Sequence, residues 1–103
     1  MTLDELAVRL AATGLPVTYL AWPEEQVPPL PWICYHSTGA DTLPADGGVY
    51  VSWDTVLVEL YTARKARALE KKVEQALSGF AWTKDETYVE SERCYIITYE
   101  IEV

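Results

Sequence analysis

The chain has 103 residues, of which 50% are hydrophobic, and its formal net charge is −8. This length suits one domain with one core, here residues 1–103, and is too short for two. The negative charge argues against broad attraction to DNA or anionic lipid, because phosphate groups would be repelled over most of the surface.

No stretch approaches the roughly 18 consecutive apolar residues of a membrane span. The N-terminus opens directly into a helix signal, without a basic segment leading an apolar one, so we expect a cytosolic protein without a membrane partner. A small domain buries a limited fraction of its surface, and association with further copies of itself is a common source of added stability. We therefore expect a homo-oligomer.

The first predicted element is a helix over residues 3–13. Thr2 and Glu5 have the spacing of a capping box, and apolar residues follow at helical intervals. Gly14 then provides a left-handed ending, and Pro16 stops the helix.

Three segments with different patterns follow the helix. Residues 17–22 predict a short strand, and the proline-rich residues 23–31 predict an ordered or extended loop, because proline cannot donate to a sheet. Alternation over residues 32–37 predicts a second strand. Residues 38–48 are rich in glycine, aspartate and proline, which indicates a mobile loop that a neighbouring subunit would order.

The second half of the chain supplies a long strand, a helix and a strand pair. Residues 49–61 are apolar on both sides, which favours a central strand or one whose second face a partner covers. Residues 66–77 have helical periodicity, and two β-like runs, 80–88 and 94–103, flank a charged hairpin at 89–93. The order α-β-β-β-α-β-β predicts an α+β domain, with two helices against a mixed or mainly antiparallel sheet of about five strands.

Few residues suit catalysis or metal binding. Cys34 and Cys94 lie in strand-like runs, where buried free thiols are expected, and His36 with two distant thiols does not form a metal motif. Gly47 and Gly48 precede a strand, so they do not form a phosphate-binding loop. The sequence thus predicts no catalytic residue, cofactor or metal, and we expect a protein that is not an enzyme.

Charge is separated along the sequence. Five of the eight basic residues fall between Arg64 and Lys72, and acidic residues crowd the terminal hairpin. Each group can be a solvated face, or the two can pair between neighbouring copies. The second reading gives a candidate oligomer interface, which consists of Arg64, Arg67, Lys71, Asp85, Glu86, Glu90 and Glu92.

Several segments together resemble one protein family. They are Thr-Gly-Leu-Pro at 13–16, Leu-Pro-Trp-Ile-Cys-Tyr at 30–35, Val-Glu-Leu-Tyr-Thr at 58–62, Leu-Glu-Lys-Lys-Val-Glu at 69–74 and Glu-Thr-Tyr-Val-Glu-Ser-Glu at 86–92. With the Tyr-rich last strand, they resemble the tail terminator family, also called tail completion or tail-to-head joining proteins, of long-tailed phages and prophages of Gram-positive bacteria.

The resemblance implies an α+β subunit that forms a hexameric ring on the end of the tail tube. Such a ring ends tube polymerisation and joins the tail to the head connector, so the implied partners are further copies of the chain, the major tail tube protein and the connector. DNA would pass through without specific binding. The protein would assemble in the host bacterial cytoplasm and reside at the virion neck or tail end.

Three other functions are compatible with the sequence. The chain could be another neck protein, such as a head-closure protein. It could be a small enzyme or ligand-binding domain that uses the segment from Trp22 to His36 as a pocket wall, which requires a deep cleft with convergent polar groups. It could also be an acidic nucleic-acid mimic that blocks a host factor.

Overall fold

The computed structural model describes the backbone of residues 2–44 and 50–103, and the side chains of residues 2–40 and 54–103. These residues form two helices and five strands in the predicted α+β order. The elements are α1 (Leu3–Ala11), β1 (Val17–Tyr19), β2 (Trp32–Pro44), β3 (Tyr50–Thr62), α2 (Arg67–Ala76), β4 (Thr83–Val89) and β5 (Cys94–Glu102).

The strands form one mixed sheet in the order β1-β2-β3-β5-β4. β1 is parallel to β2, and the remaining neighbours are antiparallel. β3 is therefore the central strand, as its apolar residues on both sides predict. Its pairing with β2 and β5 sets which side chains of the three strands lie on each face of the sheet.

Helix α1 begins at the predicted capping residue. The Thr2 hydroxyl accepts a hydrogen bond from the Glu5 amide at 3.2 Å, which satisfies one of the free N–H groups of the first turn. The helix ends at Ala11, two residues earlier than predicted, and the Thr13 hydroxyl donates to the Leu10 carbonyl at 2.6 Å. Gly14 then adopts a φ of 85°, which glycine tolerates best.

The core lies between the two helices and one face of the sheet. Alternate residues of β3 and β5 face each other across the register, for example Val58 with Tyr99 and Leu60 with Ile97. Both helices cover this face. The fully buried members are Leu6, Leu10, Ile33, Val56, Val58, Leu60, Val73, Leu77 and Tyr99, with Ile97 and Ile101 1% exposed.

A network of charged side chains fastens α2 to the edge of the sheet. Glu70 is only 3% exposed, and its carboxylate lies 2.8 Å from the ammonium groups of both Lys65 and Lys84. Lys84 also contacts Glu74 at 2.8 Å, and the buried Tyr99 hydroxyl donates to Glu74 at 2.7 Å. A carboxylate this deeply buried requires such partners, since burial without them is costly.

The predicted mobile loop over residues 38–48 is wrong for its first part. Residues up to Pro44 belong to β2 and pair with β3 as far as Tyr50, while residues 45–48 lie outside the described residues. A bulge between Ser37 and Gly39 interrupts the register, and Gly39 has a φ of 154°. Gly39 therefore belongs to a β-bulge within the β2–β3 pairing. Strand pairing overrides the preference of residues 38–44 for turns.

Two other predicted boundaries also shift. β1 ends at Tyr19 rather than at residue 22, because Leu20 takes a positive φ of 64° and turns the chain out of the strand. β4 begins at Thr83 rather than at residue 80. The charged hairpin after β4 is present, since Glu92 and Arg93 donate backbone hydrogen bonds back to Val89 and Glu90.

We predict that Ile97→Asp abolishes folding. Ile97 lies in the core opposite Leu60, and an unpaired carboxylate there would cost several kcal/mol, on the order of the whole stability of a small domain. Circular dichroism during thermal melting measures the effect. The matched variant Ile97→Val should remain folded, with a loss of about 1 kcal/mol. A cooperative melt for the aspartate variant would contradict the placement of this residue.

We predict that Glu70 contributes stability above about pH 4.3, its ordinary pKa. Burial by itself would raise the pKa of Glu70, but Lys65 and Lys84 hold it below its usual value. A group whose pKa is lower in the folded state stabilises above the unfolded pKa and loses that contribution as pH falls through the folded pKa. Glu70→Gln should therefore cost about 2 kcal/mol at pH 6, and this difference should shrink toward pH 2.

Urea unfolding at each pH measures that difference. Glu86→Gln is the matched control, because Glu86 also pairs with Lys65 but its side chain is 45% exposed. Its substitution should cost less than about 1 kcal/mol. Equal losses for the two variants would show that burial of Glu70 does not matter.

Candidate assembly surfaces

The exposed side of α2 and of the turn before it carries unpaired positive charge. Arg64, Arg67, Lys71 and Lys72 are all exposed, and we call these four residues the basic surface. None of them has an ion-pair partner within the part of the chain that the structure describes. Cations in the first turns of a helix oppose its dipole, at a cost of up to about 0.5 kcal/mol each at the surface. An acidic partner would offset this cost.

Lys65 and Glu86 belong to the internal network instead. Glu86 of β4 lies on the helix-covered side of the sheet and pairs with Lys65 of the same chain, which also contacts Glu70. Glu86, one of the predicted interface residues, therefore already has a cation beside it. Its neutralising partner comes from the loop before α2, which sequence spacing alone does not bring close.

The remaining predicted acidic residues occupy two places. Asp85 pairs in register with Thr98 and points to the face of the sheet that the helices do not cover. Glu90 and Glu92 lie in the exposed hairpin turn. This turn is at the same end of the sheet as the start of α2, because Thr62, just before the helix, pairs with Tyr95. The structure therefore does not gather the predicted acidic set into one surface.

The face of the sheet opposite the helices, which we call the open face, is mostly polar. Its cross-strand rows include Glu59 beside Thr98 and Asp85, and Leu57 beside Glu100. The Nδ1 atom of His36 lies 3.6 Å from a carboxylate oxygen of Glu59. The β2–β3 register creates this contact between residues that are 23 positions apart, so the spacing along the chain does not indicate it.

The proline-rich segment covers one end of the open face. Trp22 contacts Trp32 edge-on at 6.0 Å between ring centroids, and Trp32 stacks on Tyr61 at 4.2 Å. Residues 27–30 line a cleft of about 440 Å³ together with Trp32 and Tyr61. The segment forms neither helix nor strand, which confirms the predicted ordered or extended loop.

Both cysteines are buried free thiols, as predicted. Burial raises the pKa of Cys34 to about 11, with a smaller effect from the charge of Glu59, and burial likewise raises the pKa of Cys94. The thiolate is the nucleophilic form of cysteine. Cys34 near His36 is therefore poorly suited to nucleophilic chemistry near neutral pH.

Within residues 2–40 and 54–103, whose side chains the structure describes, no three His, Cys, Asp or Glu side chains converge in a way that could hold a metal ion. None of the described helices has the length and apolar content needed to cross a membrane.

Comparison with known proteins gives a structural match. No protein-family model matches the sequence, and no curated protein matches it either. Among solved structures, the chain is similar to a chain from the virion of a native gene transfer agent particle, with a TM-score of 0.59 and 19% sequence identity. The match covers 97% of this chain and 87% of that chain. At this identity, the likeness establishes that the two chains share a fold.

We predict that neither thiol reacts with an aromatic disulfide reagent at pH 8 while the protein is folded. Burial limits access, and the raised pKa values leave little thiolate. Absorbance should report about two thiols per chain only after denaturant is added. Cys34→Ser and Cys94→Ser variants assign the signal to each site, and rapid labelling of the folded wild type would contradict the buried positions.

Proposed function

We propose that this protein is a virion-assembly protein that caps the phage tail tube as a hexameric ring. In this role it ends tail polymerisation and joins the tail to the head connector. Its partners are further copies of itself, the major tail tube protein and the connector. It assembles in the host bacterial cytoplasm and remains at the virion neck or tail end.

The observation that carries the proposal is the fold shared with a virion chain over 97% of this sequence. A match of this extent includes both helices and all five strands, so the likeness is not confined to a common substructure. The fold by itself does not determine function. The sequence segments that resemble tail terminators supply the second, separate support and point to the tail end of the particle.

The charge distribution suits a subunit of a closed ring. A ring requires a heterologous contact, in which one surface of a subunit meets a different surface of the next. The basic surface and the acidic open face lie on opposite sides of the sheet, so they can meet on neighbouring copies. The net charge of −8 fits a ring through which DNA passes without specific binding.

We further propose that the protein acts without catalysis. An enzyme built on the segment from Trp22 to His36 would need an activated nucleophile or base. The raised pKa of Cys34 works against such a role. The proline-rich segment packs its Trp22 ring on the sheet through Trp32, which is an arrangement that stabilises the fold.

We predict that particles produced without this protein have unjoined heads and tails, with tails of uncontrolled length. Electron microscopy of lysates from the virus or prophage that encodes the chain measures tail length and joining. Supplying the wild-type chain in trans should restore uniform, joined particles. Tails of normal length beside heads that have lost their DNA would instead identify a head-closure protein, and normal particles would overturn both assignments.

A further inference from the structure

A cleft of about 550 Å³ lies at the end of the sheet where β5 finishes and β4 begins. The residues that line it include Phe80 and Trp82, and also Glu100 and Glu102, whose side chains alternate to the open face of the sheet. Both glutamates are exposed, and neither has an ion-pair partner among the residues whose side chains the structure describes. Trp82 packs edge-on against Tyr99 at 5.4 Å and remains 37% exposed.

This lining suits long cationic side chains. Carboxylates pair with guanidinium and ammonium groups, while aromatic rings accept both the apolar stems of arginine and lysine and their charged ends. Phe80 already takes part in a contact of this kind within the chain, because the Arg9 guanidinium lies 5.7 Å from the centre of its ring. The two glutamates therefore have the surroundings in which an arginine or lysine from outside can bind.

The basic surface has the matching charge and spacing. Arg67 and Lys71 are one helical turn apart, which places their Cβ atoms about 6 Å from each other. Glu100 and Glu102 are two residues apart on one face of a strand, which separates them by about 7 Å. Each cation of the pair can thus reach its own carboxylate.

Among the described side chains, Arg67 and Lys71 do not form an ion pair with Glu100 or Glu102 of the same chain. The cleft adjoins Gly79 and Phe80, just beyond the end of α2, whereas Arg67 is the first residue of that helix and Lys71 lies halfway along it. The ten residues of α2 span about 15 Å. A second copy of the chain carries both surfaces and can therefore satisfy both of them.

We infer that the cleft of Phe80, Trp82, Glu100 and Glu102 receives Arg67 and Lys71 of a second copy of this chain. This inference rests on the proposed head-to-tail ring and identifies the surface that receives the basic residues of the neighbouring copy. It replaces the acidic hairpin in that role, because Glu86 is paired internally and Glu90 and Glu92 lie at the same end of the sheet as the basic surface. The contact is heterologous, as a ring requires.

Three double variants test the contact by charge reversal. The first carries Arg67→Glu with Lys71→Glu, and the second carries Glu100→Lys with Glu102→Lys. The third, a matched control, makes the same change of charge in the hairpin through Glu90→Lys with Glu92→Lys. All six positions are exposed, so each variant should keep the wild-type melting transition.

Sedimentation velocity in low salt measures self-association. Wild type and the hairpin variant should associate alike, while the first and second variants should each associate at least about tenfold more weakly, because like charges then meet. An equimolar mixture of the first and second variants should restore association, since each then offers the other an opposite charge at both contacts. Adding salt should weaken the restored assembly.

Other outcomes would overturn the inference. If the first variant regains association with the hairpin variant but not with the second, the hairpin is the acceptor and the head-to-tail arrangement still stands. If wild type does not associate in low salt, or no variant changes its association, the contact is wrong. Neither result alters the tail phenotype of particles that lack the protein, so failure here is distinguishable from failure of the proposed function.

Discussion

The pairing of β3 with β5 beneath the two helices is the constraint on which the rest of the structure depends. Val56, Val58 and Leu60 face the helices together with Ile97, Tyr99 and Ile101. Because side chains alternate along a strand, burial of this set sends the intervening residues to the open face. The same register thus decides where Glu59, Glu100 and Glu102 lie, and with them the charge of the outer surface.

Tyr99 links this core to the charged network at its edge. Its ring is buried in the core while its hydroxyl donates to Glu74, and that carboxylate shares Lys84 with Glu70. The network fixes α2 to β4 and pairs five charged groups within the subunit, which are Lys65, Lys84, Glu70, Glu74 and Glu86. Among the cations without an ion pair in the described residues are Arg67, Lys71 and Lys72 on the outward side of α2, so the packing of the helix decides that these charges remain for a partner.

The shape of the subunit adds to its suitability for assembly. Strands β2 and β3 extend beyond the last backbone pairing with the end of the chain, in which Asp54 and Val103 exchange two hydrogen bonds. Residues 41–44 and 50–53 therefore form a ribbon of two strands only. The long axis of the described residues is 52 Å, against 28 and 25 Å for the others. An isolated two-stranded ribbon is marginally stable in water. In the proposed ring, a neighbouring subunit would stabilise this extension. The extension is a strand pair, whereas the composition of residues 38–48 predicts a loop.

The sequence by itself determined the α+β class, the element order and most of the core. Three local patterns each indicate one structure. They are the capping residue Thr2, the alternation of apolar and polar residues in β5, and the apolar stripe of α2. It also separated the charges into a basic helix and acidic strands. It did not determine which of those charges are available, because pairing of Lys65 with Glu86 and Glu70 depends on how a loop, a helix and an edge strand meet.

Tertiary structure alone decided three features. It turned residues 38–44 into strand, since ladder hydrogen bonds to β3 outweigh the local preference of glycine and aspartate for turns. It placed His36 beside Glu59 through the register of two strands. It joined Phe80 and Trp82 to Glu100 and Glu102 in one cleft, which no spacing along the chain indicates, because the connection from α2 reaches the end of β5 only when the sheet is assembled.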